Sequence, residues 1–310
     1  MIPIVTIEGT TASGKSHLAI ELAKRLNTEI ISADSRQIYK FMNIGTAKPT
    51  LMDIEKVPHH LINIVFPDAR YNAGDFAHDA GLIAHRLHKK NQIPIIAGGT
   101  GFYIKALIEG LFQSPDVPIE LKDKLENDMN QKGLEAMYVY LKDVDPVAAV
   151  NISPQDKQRI LRALEVFEYT EKPISVHWEE QNSSPDFLPY RILITDDREN
   201  IYNRINNRFD AMLETGLLNE IQDLLNRGYK PEDYGMTAVG YREFMPYFFA
   251  ETPLLECVNK AKQNSRKYAK RQVTWYRKQC FDLAVRPEEL TDTFLNNLAE
   301  KLSTLKGDDQ

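Results

Sequence analysis

The sequence is poor in cysteine. Its 310 residues hold two, Cys257 and Cys280, far apart and in no metal-like spacing. That predicts neither a disulfide framework nor a cysteine zinc site, and it suits a reducing compartment. No apolar run approaches the roughly 20 residues needed to cross a bilayer. The opening stretch MIPIVTIEG has no basic lead and only a short apolar run. We therefore expect no signal peptide, no membrane span and a cytoplasmic protein. Positive charge is not in excess either. The formal net charge is -6, so a nucleic-acid partner would need a local basic patch rather than a global field. The chain has no D-x-x-G and no Asn-Lys-x-Asp; NKAK at 259–262 lacks the final Asp. Ordinary switch NTPases are disfavoured accordingly. There is no nucleophile elbow, internal repeat or low-complexity segment. The hydrophobic and charged fractions, 43% and 26%, are those of a globular protein with a sizeable core.

Against this background one stretch stands out. GTTASGKS, from Gly9 to Ser16, fits G-x-x-x-x-G-K-[ST], a loop whose backbone N–H groups cradle phosphates. IPIVTIE before it is short, apolar and β-branched, as a buried parallel strand is. Leu18, Ala19, Leu22, Ala23 and Leu26 after it recur at helical spacing. Strand, loop and helix in that order place N–H groups and a positive helix end at one point. The loop Gly9, Thr10, Thr11, Ala12, Ser13, Gly14, Lys15 and Ser16 is thus expected to hold an anion, without saying which.

EIISAD, ending at Asp34, and IPIIAGG, ending before Thr100, read as further strands. HHLINIV fits a strand as well, although His59 and His60 are expected to shape a turn. GFYIKALIEGL is helical. Alternation of this kind predicts an α/β fold, a P-loop NTPase-like doubly wound parallel sheet. Ligands in such sheets sit at the carboxyl ends of strands, where the loop, Asp34 and Thr100 all lie. From about Gln113 prolines punctuate polar helical stretches and no central strand is visible. We expect a helical insertion domain over 113–189, with 1–112 and 190–310 forming the core. RILIT resumes the sheet. Long helices are expected from Arg198 to about Asn226 and from Glu251 to about Phe281, and the tail LKGDDQ is expected to fray. Asp196 or Asp197 should cap the helix starting at Arg198.

Two further features carry chemistry. Asp34 is suited to take a proton from an acceptor held by Ser35, Arg36 and Gln37; as a local turn cap it would do no more than hold DSRQ. KAKQNSRKYAKRQVTWYRK, 260–278, holds eight cations and no acid, with Tyr268, Trp275 and Tyr276 interleaved. One-sided charge at helical spacing repels itself without a partner, so Lys270, Arg271 and their neighbours point to nucleic acid. Gln158, Arg159 and Arg162 form a second basic site. His78, His85 and His88 share a candidate helix without a cysteine, and read as an exposed face rather than a zinc site.

In order, GTTASGKS, ISADSRQIYKFMNIGTAKP, PHHLINI, AGGTGFYIKAL, DKQRILRALEVFEYTEKPIS, AVGYREF and KYAKRQVTWYRK span nearly the whole chain. That series resembles the bacterial tRNA dimethylallyltransferases, the MiaA family. The resemblance implies transfer of a dimethylallyl group from dimethylallyl diphosphate to the exocyclic N6 amine of an adenosine. That adenosine lies 3′-adjacent to the anticodon in tRNAs reading codons that begin with U. It implies Asp34 as general base, Thr100 at the reacting centre and Arg208 on the leaving diphosphate. The loop would hold the diphosphate, with Lys15 neutralising charge and Ser16 on Mg²⁺. The anticodon stem-loop would meet Asp34, Ser35, Arg36, Gln37, Thr100 and Lys122. It would also meet Gln158, Arg159, Ile160, Leu161 and Arg162, and Thr237, Ala238, Val239, Gly240, Tyr241 and Arg242. The target base would be unstacked and flipped. The protein would act as a monomer, away from membranes.

Thr10 stands where Pro is usual, Ser16 where Thr is usual, and Lys122 where Arg is common. Ser16 keeps a hydroxyl, and Lys122 meets a phosphate without the two-pronged geometry of arginine. Three other readings compete. They are an adenylate isopentenyltransferase acting on free AMP, ADP or ATP, a small-molecule kinase, and a non-catalytic RNA-binding module.

Overall fold

The computed structural model describes residues 1–111, 115–180 and 186–306. The expectations that fall on Gln113, Pro185 and residues 307–310 lie outside the described residues. By its contacts the chain divides into two units, Met1–Glu109 with Pro185–Gln310, and Gly110–Ser184.

The first unit opens with β1 (Ile2–Gly9), α1 (Lys15–Leu26), β2 (Ile30–Ser32), α2 (Leu51–Lys56), β3 (His59–His60), α3 (Ala73–Lys89), β4 (Ile95–Gly98) and α4 (Gly101–Glu109). The second unit holds α5 (Ile119–Val144), α6 (Pro146–Asn151), α7 (Lys157–Thr170) and α8 (Ile174–Glu179). The first unit then resumes with β5 (Phe187–Ile194), α9 (Arg198–Glu214), α10 (Leu217–Asn226), α11 (Met245–Phe248), α12 (Leu254–Tyr276), β6 (Leu283–Val285) and α13 (Asp292–Ser303).

The strands form one parallel sheet in the order β3-β2-β4-β1-β5-β6. This is the doubly wound α/β architecture read from the sequence. Every residue of β1 is buried, as befits a central strand covered on both faces. Val5 and Ile7 join Leu18, Leu22 and Leu26 of α1 and Leu295 and Leu298 of α13 in one core. Burial of each such side chain contributes about 1.5–3 kcal/mol. Ile4, Thr6 and Glu8 alternate to the other face, where α3 and α12 contact β1. A second core joins Ile38 and Met42 to Ile205 and Phe209 of α9, Ile221 of α10 and Ala261 of α12. Register brings the strand ends level. Glu8 lies beside Gly98, Ser32 beside Ala97 and Gly9 beside Ile194.

Several local expectations change. The helix expected over 198–226 is two, because Gly216 adopts a left-handed conformation (φ 102°) between α9 and α10. His59 and His60 form β3, pairing with Ile30 and Ile31, rather than a turn. The strand read as RILIT begins earlier, at Phe187, so 187–189 belong to the sheet. Asp197 takes the N-cap position of α9 without a side-chain cap bond. Its carboxylate meets Arg286 instead (3.2 Å), while Asp196 accepts from Asn200 (2.9 Å) and pairs with Arg204 (2.6 Å).

The second unit has its own core of Leu125, Met129, Leu141, Ile160, Leu164 and Ile174. Helix α5 is broken at Gly133 (φ 84°). Asp145 is buried, and it accepts from the backbone of Ala148 (2.9 Å) and Ser175 (2.9 Å) and from the Ser175 hydroxyl (2.7 Å). A buried carboxylate is tolerable when its oxygens are met in this way.

Candidate active site

The loop between β1 and α1 is held open by its surroundings. Ala12 is left-handed (φ 61°) although it carries a Cβ, and Gly14 follows at φ 97°. A non-glycine residue in that region costs free energy and persists where neighbours hold it. Here α9 does so. Arg204 donates from Nε to the Ala12 carbonyl (2.7 Å), and Arg208 donates to the Thr11 hydroxyl (2.7 Å). Helix α1 begins at Lys15 with no side-chain cap and no acid in its first turn. Its positive end is therefore not neutralised locally, which suits an anion.

Lys15 folds back to the Thr10 carbonyl (2.5 Å). Burial lowers its pKa to about 8, while Asp34 pulls it upward and Arg208 pushes it down. Arg208 is likewise held below its usual value by burial, with Asp34 acting against that. The Nε of Arg208 is buried without a hydrogen-bond partner. Two desolvated cations thus meet at the loop beside one carboxylate, an arrangement that an anionic ligand would stabilise.

Asp34 follows β2. Its Oδ1 accepts from the backbone of Arg36 (2.8 Å) and Gln37 (3.4 Å), which is the local turn cap. Its Oδ2 makes no hydrogen bond among the described residues. The cap and proton-acceptor readings are therefore compatible, since one oxygen orients the carboxylate and the other remains for an acceptor. Thr100 follows β4. Its hydroxyl accepts from the Ser35 backbone (3.0 Å) and donates to the Ser35 hydroxyl (3.4 Å). The two turns approach closely because residue 98 is glycine. A Cβ there would lie 2.0 Å from the Ala33 carbonyl oxygen. The fold therefore gathers the loop, Asp34, Ser35, Thr100 and Arg208 at one edge of the sheet.

The remaining sequence-marked residues lie elsewhere in the two units. Gln37 is tied to the Ala47 carbonyl (3.1 Å) and receives from the Ser32 hydroxyl (2.9 Å); Arg36 reaches the Tyr234 carbonyl (2.9 Å). Within 237–242, Thr237 and Arg242 are exposed and Val239 is partly so, whereas Ala238, Gly240 and Tyr241 are buried. On α12, Lys270 and Arg271 are exposed, and Arg271 lies over the Tyr268 ring (5.5 Å). In the second unit Gln158 and Arg159 are exposed in the first turn of α7, Leu161 and Arg162 are partly so, and Ile160 is core. Lys122 is partly exposed on α5.

Sequence reasoning missed three residues that shape the site: Arg204, Gln272 and Glu220. Glu220 accepts from the backbone of Asn43 (2.7 Å) and Ile44 (2.8 Å) and from the Tyr241 hydroxyl (2.6 Å). It thereby holds the GTAKP loop that anchors Gln37. All three act on segments far away in sequence, so no local motif exposes them. A cleft of about 610 Å³ lined by Asn206, Lys260, Lys262 and Arg266 shares no residue with this site.

Residues 37–279 match the IPP transferase family. The chain belongs to that family. The match begins after the loop and Asp34, so those are read from geometry. This IPP transferase-family chain is 46% identical to a tRNA dimethylallyltransferase of Acetivibrio thermocellus over 277 residues, covering 89% of this chain and 88% of that protein. It also resembles the crystal structure of a tRNA delta(2)-isopentenylpyrophosphate transferase from Staphylococcus epidermidis. That pair is 37% identical with a TM-score of 0.69, and the match covers 98% of each chain. A eukaryotic dimethylallyltransferase caught acting on tRNA matches with a TM-score of 0.83 at 30% identity, over 96% of this chain and 78% of that one. Among the described residues, no helix of the family member is long and apolar enough to cross a membrane.

Proposed function

We propose that this protein transfers a dimethylallyl group from dimethylallyl diphosphate to the exocyclic N6 amine of a tRNA adenosine and releases diphosphate. The adenosine is the one 3′-adjacent to the anticodon in tRNAs reading codons that begin with U. The observation that carries the reading is the meeting of Lys15 and Arg208, both desolvated, with Asp34 beside the loop. An allylic C–O bond breaks readily when the departing diphosphate is stabilised. The loop N–H groups, Lys15 and Arg208 supply that stabilisation. As the C–O bond breaks, the amine nitrogen forms the new N–C bond and Asp34 Oδ2 takes the amine proton. Thr100, tied to Ser35, orients the amine beside Asp34.

Among the described residues no group of three His, Cys, Asp or Glu side chains could hold a metal. The Ser16 hydroxyl, exposed in the first turn of α1, fits Mg²⁺, which takes few protein ligands and relies on substrate phosphate oxygens and water. Mg²⁺ would add positive charge at the leaving diphosphate. The exposed cations of α12 and of the start of α7 suit the anticodon stem-loop, and we treat the helical insertion, which ends before β5 begins at Phe187, as contacting it. The protein acts as a monomer in this reading.

The test incubates purified protein with Mg²⁺, labelled dimethylallyl diphosphate and unmodified tRNA, beside tubes with AMP and without acceptor. Label in tRNA alone is expected. Label in AMP, or ATP turnover without transfer, would overturn the assignment.

A further inference from the structure

We propose that Gln272 is a positioning residue of the donor site, fixing the phosphate loop against the turn that carries Thr100. The inference rests on the prenyl-transfer reading above. Gln272 is 7% exposed on α12. Its Oε1 accepts from the Thr11 backbone N–H (2.8 Å), and its Nε2 donates to the Gly99 carbonyl (2.8 Å). One amide thus bridges the loop after β1 and the turn after β4. These are the two segments that would face the diphosphate and the reacting carbon.

The side-chain type is specific. The bridge needs one acceptor and one donor at the same end of a neutral side chain, which an amide supplies. An ionised glutamate offers acceptors only, and a methionine offers no comparable donor. The partner turn is shaped to fit. A Cβ at residue 99 would lie 2.6 Å from Nε2 of Gln272. Thr11 is fixed from the other side as well, since its hydroxyl receives Arg208. The backbone and side chain of this one loop residue are therefore set by α12 and α9 separately.

The neighbours of Gln272 on α12 face the same turn. Trp275, three residues on, packs so closely on Gly101 that a Cβ there would lie 2.2 Å from its Nε1. Tyr268, one turn earlier, lies close enough to Asp34 and Thr100 for both to influence its ionisation, although burial is the larger cause of its raised pKa. Lys267, Lys270 and Arg271 on the same helix are exposed. One edge of α12 grips the Gly99–Gly101 turn, and exposed cations lie beside it, Arg271 over the Tyr268 ring.

The test compares Gln272→Met and Gln272→Glu with wild type by steady-state transfer, varying donor and tRNA separately. Binding of inorganic diphosphate with Mg²⁺ is measured in parallel. Loss of two neutral hydrogen bonds at the loop should raise the donor KM of Gln272→Met roughly tenfold. The KM for tRNA should stay within about twofold, which also shows that the variant folds. Gln272→Glu should be the weaker variant above neutral pH, where its carboxylate faces the Gly99 carbonyl. Its activity relative to wild type should recover as pH falls, because a protonated carboxyl again donates to Gly99 and accepts from Thr11. A donor KM for Gln272→Met within twofold of wild type would overturn the proposal, as would a Gln272→Glu deficit that ignores pH. Failure of the wild type to transfer label would refute the prenyl-transfer reading itself.

Discussion

Lys15 allows the proposed donor role of the loop to be tested without changing a residue. In the ligand-free fold, burial holds its pKa at about 8 against the usual 10.5. A diphosphate bound beside it would restore the ammonium form, so binding above pH 8 must take up a proton. If the bound pKa lies well above 10, the apparent Kd scales as one plus ten to the power (pH − 8). From pH 7 to pH 9 it should rise about tenfold. Calorimetric titration with dimethylallyl diphosphate, in buffers of differing ionisation enthalpy, measures both the affinity and the proton uptake. Lys15→Met should bind weakly throughout and lose the slope. A Kd that stays flat from pH 7 to 9, or an equal slope in Lys15→Met, would refute the argument. The sign for stability also follows. Between about pH 8 and 10.5 the unfolded chain binds more protons at this lysine than the folded one, so its contribution to stability rises with pH across that window and is absent below it. Lys48 is also lowered to about 8, chiefly by burial, so thermal stability alone does not isolate Lys15, whereas ligand binding does.

Three other outcomes are expected. Asp34→Ala should keep tRNA affinity and reduce transfer about a hundredfold or more, as loss of a general base does; single-turnover rates near wild type would exclude that role. Reversing Lys270 and Arg271 to Glu should weaken tRNA binding and flatten its dependence on salt, and an unchanged affinity at low salt would remove α12 from the RNA surface. Glu220→Ala strips the acceptor from Asn43, Ile44 and the buried Tyr241 hydroxyl. It should cost about 3 kcal/mol in urea unfolding, and a loss below about 1 kcal/mol would mean that water replaces the carboxylate.

Much of the fold was legible because it is locally encoded. IPIVTIE is mostly apolar and β-branched, and the structure buries all of β1. Leu18, Leu22 and Leu26 fall on one helical face and pack under the sheet. What was missed depends on partners distant in sequence. β6 has three residues and too little pattern to stand out, yet it pairs with β5. Gly216 lies inside the helix expected from Arg198 to about Asn226, and its left-handed backbone separates α9 from α10. Asp196 read as a helix cap because the pairing with Arg204 cannot be seen from spacing. The site divides in the same way. The loop, Asp34 and Thr100 announce themselves at strand ends, whereas Gln272 and Glu220 matter through backbone groups that no side-chain motif records.

The sheet also has an order of synthesis. β1 leaves the ribosome before β5, its partner on one side, which pairs Phe187 with Ile2 and Ile194 with Gly9. Until that later strand is made, β1 keeps an open edge, and such edges recruit foreign strands. Arg204, Arg208 and Gln272 are translated later still. A nascent chain released before them would carry the GTTASGKS motif intact and yet lack the side chains that shape it into a receptor. The motif is translated before the residues that make it competent to bind.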